Sequence, residues 1–288
     1  MKIRILQASD ADALEAFLLP HLDSSMFLIG NLRAAGLRDR GEPYQGIYAA
    51  AYEQGQMVAV VAHYWNNALV LQAPVHVGPL CEAAARASGR PVRGFIGPAA
   101  QVEQAMAALG VVAADAQLDE RETLYGLSLA QLQVPKPLEI GQVRGRRAGM
   151  ADVELVTEWR VAFSLESLGD EDTPRLWDRV RGSVRRGVLE RRIWLLEEAS
   201  GQPVSTSGFN AAIREAVQIG GVWTPPELRG RGYARAIVAA SLLAARAEGV
   251  GRAVLFTGLE NVPAQRAYAA LGFQPLGDFR LVLLQQDD

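Results

Sequence analysis

Two periodicities alternate along the chain. Runs of five to eight residues with strand-like alternation or continuous apolarity are separated by stretches whose apolar residues recur every three to four positions. In the first half, residues 46–52, 57–64 and 69–72 read as strands, with Gly55 making the turn between the first two, and residues 25–32 read as a helix packing its apolar face, with Asn31 placed to reach a cleft. In the second half the expected order is strand 142–146, helix 151–165, helix 173–187, strands 192–197, 204–211 and 216–222, and helix 232–248. Strand 253–257, helix 262–271 and strands through Phe273 and 279–284 complete it. Mixed strands and helices of this kind predict an α+β fold, a mixed sheet covered by helices.

The pattern also repeats. Residues 3–12 (IRILQASDAD) match residues 143–152 (VRGRRAGMAD), each a short strand followed by a helix start. Near the end of each half, FIGPAAQVEQAMAALGV matches FTGLENVPAQRAYAALGF; the shared AALG falls at Ala107–Gly110 and Ala269–Gly272. Two matches in the same order predict two tandem copies of one domain. Pro135 and Pro137 in residues 131–142 mark a short extended connector, which places the first domain at 1–134 and the second at 138–288.

Composition narrows the class without naming it. The chain has 288 residues, 49% hydrophobic and 21% charged, with a net charge of -3. That balance gives no reason to expect nucleic acid as a partner. No apolar run reaches the roughly 20 residues needed to span a bilayer, and Asp10, Asp12 and Glu15 interrupt any leader-like start, so a cytoplasmic protein is expected. The single cysteine, Cys81, rules out an internal disulfide and reads as a buried small hydrophobe. His21, His63 and His76 have no metal-ligand spacing with one another or with Cys81, and no metal is expected.

The chemistry concentrates in residues 222–234, VWTPPELRGRGYA. An apolar strand ends in two prolines, and a Gly- and Arg-rich loop opens directly into a helix. Gly230 and Gly232 permit positive φ and leave no Cβ to block a ligand. The helix N-terminus offers unpaired N–H groups, and Arg229 and Arg231 add positive charge, ingredients that hold a pyrophosphate. The spacing is neither GxGxxG nor a P-loop. It resembles the acetyl-CoA loop of the GNAT superfamily, Gln/Arg-x-x-Gly-x-Gly/Ala, met here by Arg229, Gly232 and Ala234. A second segment, Asn261-Val262-Pro263-Ala264 with Tyr268 and Leu271-Gly272-Phe273, is similar to that superfamily's Asn-x-x-Ala…Tyr…Leu-Gly-Phe signature.

The resemblance implies an N-acetyltransferase in the second domain that uses acetyl-CoA. Its acceptor would be an amine of a small molecule, amino acid or protein, attacking directly in a ternary complex. By the same resemblance, backbone amides of Val222, Trp223 and Thr224 hold the pantetheine and polarise the carbonyl. The loop from Arg229 through Gly230, Arg231, Gly232 and Tyr233 to Ala234 holds the pyrophosphate, Asn261 contacts the pantetheine arm, and Tyr268 protonates the departing thiolate. Glu215, at the start of the lead-in strand, is the candidate base; Gln218 cannot take a proton. Glu166 and the run Asp170-Glu171-Asp172 read as a solvated loop, or as an acidic lure for an ammonium group. Other readings stay open: a longer acyl-CoA, a hydroxyl acceptor, or a CoA-sensing scaffold without turnover.

The first domain lacks these residues. In the repeat, Tyr268 falls opposite Met106 and Asn261 opposite Ala99, and residues 69–93 contain no basic Gly loop. The resemblance therefore implies a degenerate copy beside an active one, in a chain that is a monomer or a homodimer.

Overall fold

The computed structural model describes residues 1–285. In chain order the elements are β1 (Lys2–Ile5), α1 (Ala11–Leu18), α2 (Leu22–Ala35), β2 (Gly46–Glu53), β3 (Gln56–Tyr64), β4 (Ala68–Gln72), α3 (Val77–Ser88), β5 (Gly94–Pro98), α4 (Ala99–Ala108) and β6 (Ala116–Ser128). They continue as α5 (Lys136–Glu139), β7 (Val143–Arg147), α6 (Val153–Ser167), α7 (Pro174–Leu189), β8 (Ile193–Glu198), β9 (Pro203–Ala212) and β10 (Ala216–Trp223). Then come α8 (Tyr233–Ala247), β11 (Arg252–Gly258), α9 (Val262–Ala269) and β12 (Gln274–Leu284). From β1 to β6 and again from β7 to β12 the order is strand, two helices, three strands, helix, strand, helix, strand. The duplication expected from the sequence is a duplication of architecture. Two differences stand out. The connector expected to be extended contains α5, with Pro137 in its first turn, where a missing N–H costs nothing. The two last strands expected near Phe273 and 279–284 are one, β12.

The chain forms two compact units, Met1–Leu124 with the segment from Leu276 onward, and Tyr125–Pro275. In the first unit, β1, β2, β3 and β4 pair antiparallel in turn, and β4 runs parallel to β5. The strand on the other side of β5 is β12, antiparallel with Phe279 opposite Pro98 and Leu283 opposite Gly94. The first unit's sheet is thus completed by the end of the chain, which follows the second copy's last helix. Arg280 fastens this strand to β6 through two bonds to Asp119, at 2.7 and 2.6 Å, and its guanidinium holds that carboxyl below the usual range. The core beneath joins Val61, Leu71 and Phe95 of the sheet with Leu80 and Cys81 of α3, Met106 of α4 and Val282 of β12. Cys81 is fully buried, and burial pushes its thiol up to about 12, as an inert core residue requires. Asn31 bonds the hydroxyl of Tyr64, whose partner is Tyr48 at 2.7 Å; its role is to close a buried polar pair.

In the second unit, β7 pairs β8, β8 pairs β9 and β9 pairs β10, all antiparallel, and β10 runs parallel to β11. The end of β6 joins this unit: Tyr125, Leu127 and Leu129 pack with Val238 and Leu242 of α8, Leu255 of β11, and Tyr268, Leu271 and Phe273. A separate cluster packs α6 on α7 over β8, through Val156, Val161, Leu176, Val180, Val184, Ile193 and Leu195. Among the described residues no helix is long and apolar enough to cross a membrane, and no group of three or more His, Cys, Asp or Glu gathers to hold a metal.

One carboxylate in the first unit makes its stability depend on pH. Glu122 of β6 has a buried Oε2 with no partner, and burial, with Glu120 nearby, raises its pKa from 4.5 to about 7. A folded-state pKa above the unfolded value favours the protonated form, so this contribution is present in full below pH ~4.5 and is lost as pH rises through ~7. Glu122→Gln is expected to raise stability at pH 8 by up to about 3 kcal/mol and to flatten the decline between pH 5 and 8. Urea denaturation across that range measures both.

Candidate active site

The second unit's sheet opens at one place. The parallel pairing of β10 with β11 runs from Ala216–Arg252 to Gln218–Val254 and stops there, although both strands continue, to Trp223 and Gly258. Beyond that point the facing edges of 219–223 and 255–258 have no ladder between them. On its other edge β10 stays paired to β9, with register shifts between Gln218 and Ile219 and between Gly220 and Trp223. The second shift puts one extra residue in β10 around Gly221, which takes φ +54. Bulges bend a strand away from its neighbour, and here the bent strand leaves backbone donors and acceptors facing a gap. Ser205 braces the bend: its hydroxyl donates to the Trp223 carbonyl at 2.8 Å and lies 2.9 Å from the Thr224 hydroxyl.

β10 leads into the Gly-Arg loop. Pro225 and Pro226 end the strand, a short 3-10 turn covers Pro226–Leu228, and Gly230 and Gly232 take φ +77 and +81. The first α-helical bond of α8 runs from Ala236 N–H to Gly232 C=O, so the N–H groups of Tyr233, Ala234 and Arg235 have no acceptor within the helix. A positive dipole end with free donors is what an anion requires. Tyr233 is pinned sideways, its hydroxyl donating to Glu198.

The arginines divide the labour differently from the sequence expectation. Arg229 is committed: Nε donates to the Thr224 carbonyl at 3.0 Å, Nη2 to Glu166 at 2.9 Å, and the guanidinium stacks 4.7 Å from the Trp223 ring centroid. Arg231 donates to the Glu227 carbonyl at 3.4 Å and also meets the Tyr233 hydroxyl. Arg235, in the first turn of α8, has no hydrogen bond or ion pair among the described residues, and its buried Nε lacks a partner there. Its Nη2 lies 3.8 Å from where a Cβ on Gly232 would stand, beside the exposed N–H groups. Sequence reasoning stopped at Ala234 and missed it; an arginine in a first helical turn, against the dipole, was the available signal.

Across the gap, Asn261 caps α9, its Oδ1 accepting from Ala264 N–H at 3.2 Å. Gln265, also missed, ties the preceding loop with bonds to the Gly258 and Leu259 carbonyls at 3.0 and 2.8 Å. Tyr268 is 9% exposed and packs edge-on to Phe273 at 5.9 Å. It shares a core cluster with Ile219 and Leu255, the residues at which the strands part. Opposite it in the repeat, Met106 is simply buried in the first unit's core.

Other expected residues lie elsewhere. Glu215 precedes β10 and accepts from Arg214 Nε at 2.7 Å; six residues of strand, about 20 Å, separate it from Gly221. The last paired position of β10, just before the strands part, is held instead by Gln218, 2% exposed. Glu166 holds Arg229, Asp170 accepts from Arg179 at 3.0 Å and Asp172 from the Trp177 indole at 2.7 Å, so the acidic loop fastens its own neighbours.

In the first unit the β4–β5 ladder also ends after three pairs, but the strands stay in contact one residue further. Beyond the last β4–β5 pair at Val70–Ile96, a Cβ on Gly97 would stand 3.1 Å from the Leu71 carbonyl. The next free donor, Ala73 N–H, is taken by the Gln101 side chain at 2.7 Å. His76, at the start of α3, pairs with Glu53 at 2.6 Å.

Comparison with known proteins agrees with this geometry. Residues 153–273 match the model of the acetyltransferase (GNAT) family. No curated protein matches the sequence. Among solved structures, an acetyltransferase from the GNAT family of Colwellia psychrerythraea is similar over 99% of this chain and 100% of its own, with TM-score 0.56 and 15% identity. A GCN5-related N-acetyltransferase from Sphaerobacter thermophilus is similar over 100% and 97%, with TM-score 0.60 and 16% identity. A tandem GNAT protein from the clavulanic acid biosynthesis pathway is similar over 100% of both chains, with TM-score 0.56 and 12% identity. At such identities these are likenesses of fold, and they span both units. The second unit carries a domain of the acetyltransferase (GNAT) family over residues 153–273, and the chain as a whole shares the fold of these acetyltransferases.

Proposed function

We propose that the second unit transfers an acetyl group from acetyl-CoA to an amine, by direct attack in a ternary complex, and that the first unit binds no CoA. The observation that carries this reading is the parting of β10 from β11 directly ahead of a glycine loop and an open helix N-terminus. Unpaired strand edges suit the amide groups of a pantetheine arm, which would complete the ladder along Val222 to Thr224. The N–H groups of Tyr233, Ala234 and Arg235, with the Arg235 guanidinium and the backbone freedom of Gly230 and Gly232, suit a pyrophosphate. Asn261 keeps its side-chain N–H2 for the arm while its oxygen caps α9.

In the reaction the amine nitrogen attacks the thioester carbonyl and forms the C–N bond. The carbonyl oxygen, negative in the transition state, is met by backbone N–H groups at the β10 bulge. Collapse breaks the C–S bond, the thiolate takes its proton from the Tyr268 hydroxyl, and the amine's surplus proton passes to water, from which the Tyr268 phenolate is reprotonated. Glu215 is too distant to take that proton directly, and Gln218 cannot. An acceptor amine that enters neutral needs no carboxylate beside it, and turnover should then rise with pH towards the acceptor's own pKa.

Tyr268→Phe should lower kcat about 10²-fold with acetyl-CoA KM unchanged. Equal loss of both parameters would remove Tyr268 as the acid. Arg235→Met should raise acetyl-CoA KM about tenfold and leave kcat within twofold; an unchanged KM would remove it from the pyrophosphate site. Both are read from CoA thiol release over a panel of amines.

A further inference from the structure

Helix α6 buries Val153, Val156, Thr157, Val161 and Ser164 at the spacing of an amphipathic helix. Arg160 sits among them, where that spacing calls for an apolar residue. Its head lies against the bulge of β10. A Cβ on Gly221 would stand 1.3 Å from Nη1, and one on Gly208 of β9 2.6 Å from Nη2. Two glycines therefore make the room this guanidinium occupies.

No group answers its charge. Among the described residues Arg160 has neither a hydrogen bond nor an ion pair, and its Nε is buried without an acceptor. Burial alone pulls its pKa down to about 10. Comparable arginines are paired: Arg146 with Asp152 at 2.7 Å, Arg90 with Asp39 at 2.8 Å, Arg280 with Asp119 at 2.6 Å. Arg160 is half-buried, with Nε fully enclosed; an unpaired, partly desolvated cation is costly, and an anionic ligand would relieve that cost. A second unsatisfied donor lies three residues before Gly221: Gln218 is 2% exposed and its Nε2 has no partner. Phe163, one turn along α6, meets Trp223 edge-on at 6.4 Å, an apolar wall beside the same stretch of β10.

The donor's pyrophosphate is already answered by Gly230 to Arg235, beyond the two prolines. Arg160 stands instead over the bulge, where the thioester carbonyl and the incoming amine meet. We propose that Arg160 binds a carboxylate of the acceptor, so that the substrate is a small amine bearing a carboxylate, of the amino-acid class, rather than a polyamine or a protein lysine. A planar guanidinium matches a carboxylate with two parallel N–H···O bonds and fixes the amine's position relative to it. This rests on the proposed acetyl transfer and names the acceptor for the same site.

The test uses the full chain, free amino acids paired with their carboxamides as acceptors, and acetyl-CoA as donor. The wild type is expected to prefer the acids by about 10²-fold in kcat/KM. Arg160→Met should abolish that preference by raising acceptor KM, with acetyl-CoA KM unchanged, and Arg160→Lys should restore part of it. Since Met removes an unpaired, partly buried charge, the variant's Tm should not fall. Equal use of acids and carboxamides, or an Arg160→Met variant with the ratio intact, overturns the proposal while leaving acetyl transfer standing. A readout without turnover separates the two claims. With CoA present, N-acetyl amino acids should raise the Tm of the wild type but not of Arg160→Met, and their carboxamides should raise neither. Failure of acetyl-CoA itself to shift the Tm would count against the donor site instead.

Discussion

Everything at the candidate active site depends on a ladder that stops. Parallel neighbours in a covered sheet ordinarily satisfy each other's backbone groups along their full length. Here β10 and β11 do so for three residue pairs and then diverge. The divergence is maintained locally: an extra residue at Gly221, the Ser205 brace on the Trp223 carbonyl, and Pro225 with Pro226, which donate no N–H. A gap so constructed leaves donors and acceptors to be matched by a ligand with amide groups of its own. The loop, the α8 N-terminus and Tyr268 gain their meaning from lying at its edges.

The first unit carries the same succession of elements and a parallel ladder of the same three pairs, but its strands stay in contact beyond it. Leu71 and Gly97 remain close where the second unit's strands have separated, and Gln101 caps the donor that would otherwise face inward. His76 and Glu53 fill the start of α3 where Gly230 to Arg235 open α8. Each change is a small substitution of side chain for ligand. The first unit's last strand, β12, comes from the far end of the chain, beyond the second unit's last helix.

Much of this was legible in the sequence because it is local. The Gly-Arg loop, the Asn261 cap and the strand–helix order follow from backbone rules that operate within a few residues. What was not legible depends on side chains meeting across the fold. Arg229 looks like a phosphate ligand until Glu166, from a different helix, and Trp223 are seen to hold it. Glu215 looks like a base until the length of β10 is measured. Arg160 left a trace, a charge at an apolar position of α6, but its lack of any partner is a tertiary fact. The exchange of β12 has no local signature, since a strand's sequence does not say which neighbour it will pair.

Amide hydrogen exchange with and without acetyl-CoA tests the central claim most directly. The account predicts slowed exchange in Val222 to Thr224 and in Tyr233 to Arg235, with no change at the end of β4 or the start of α3. Protection absent from the second unit's gap, or equal protection at residues 70–80, would contradict it.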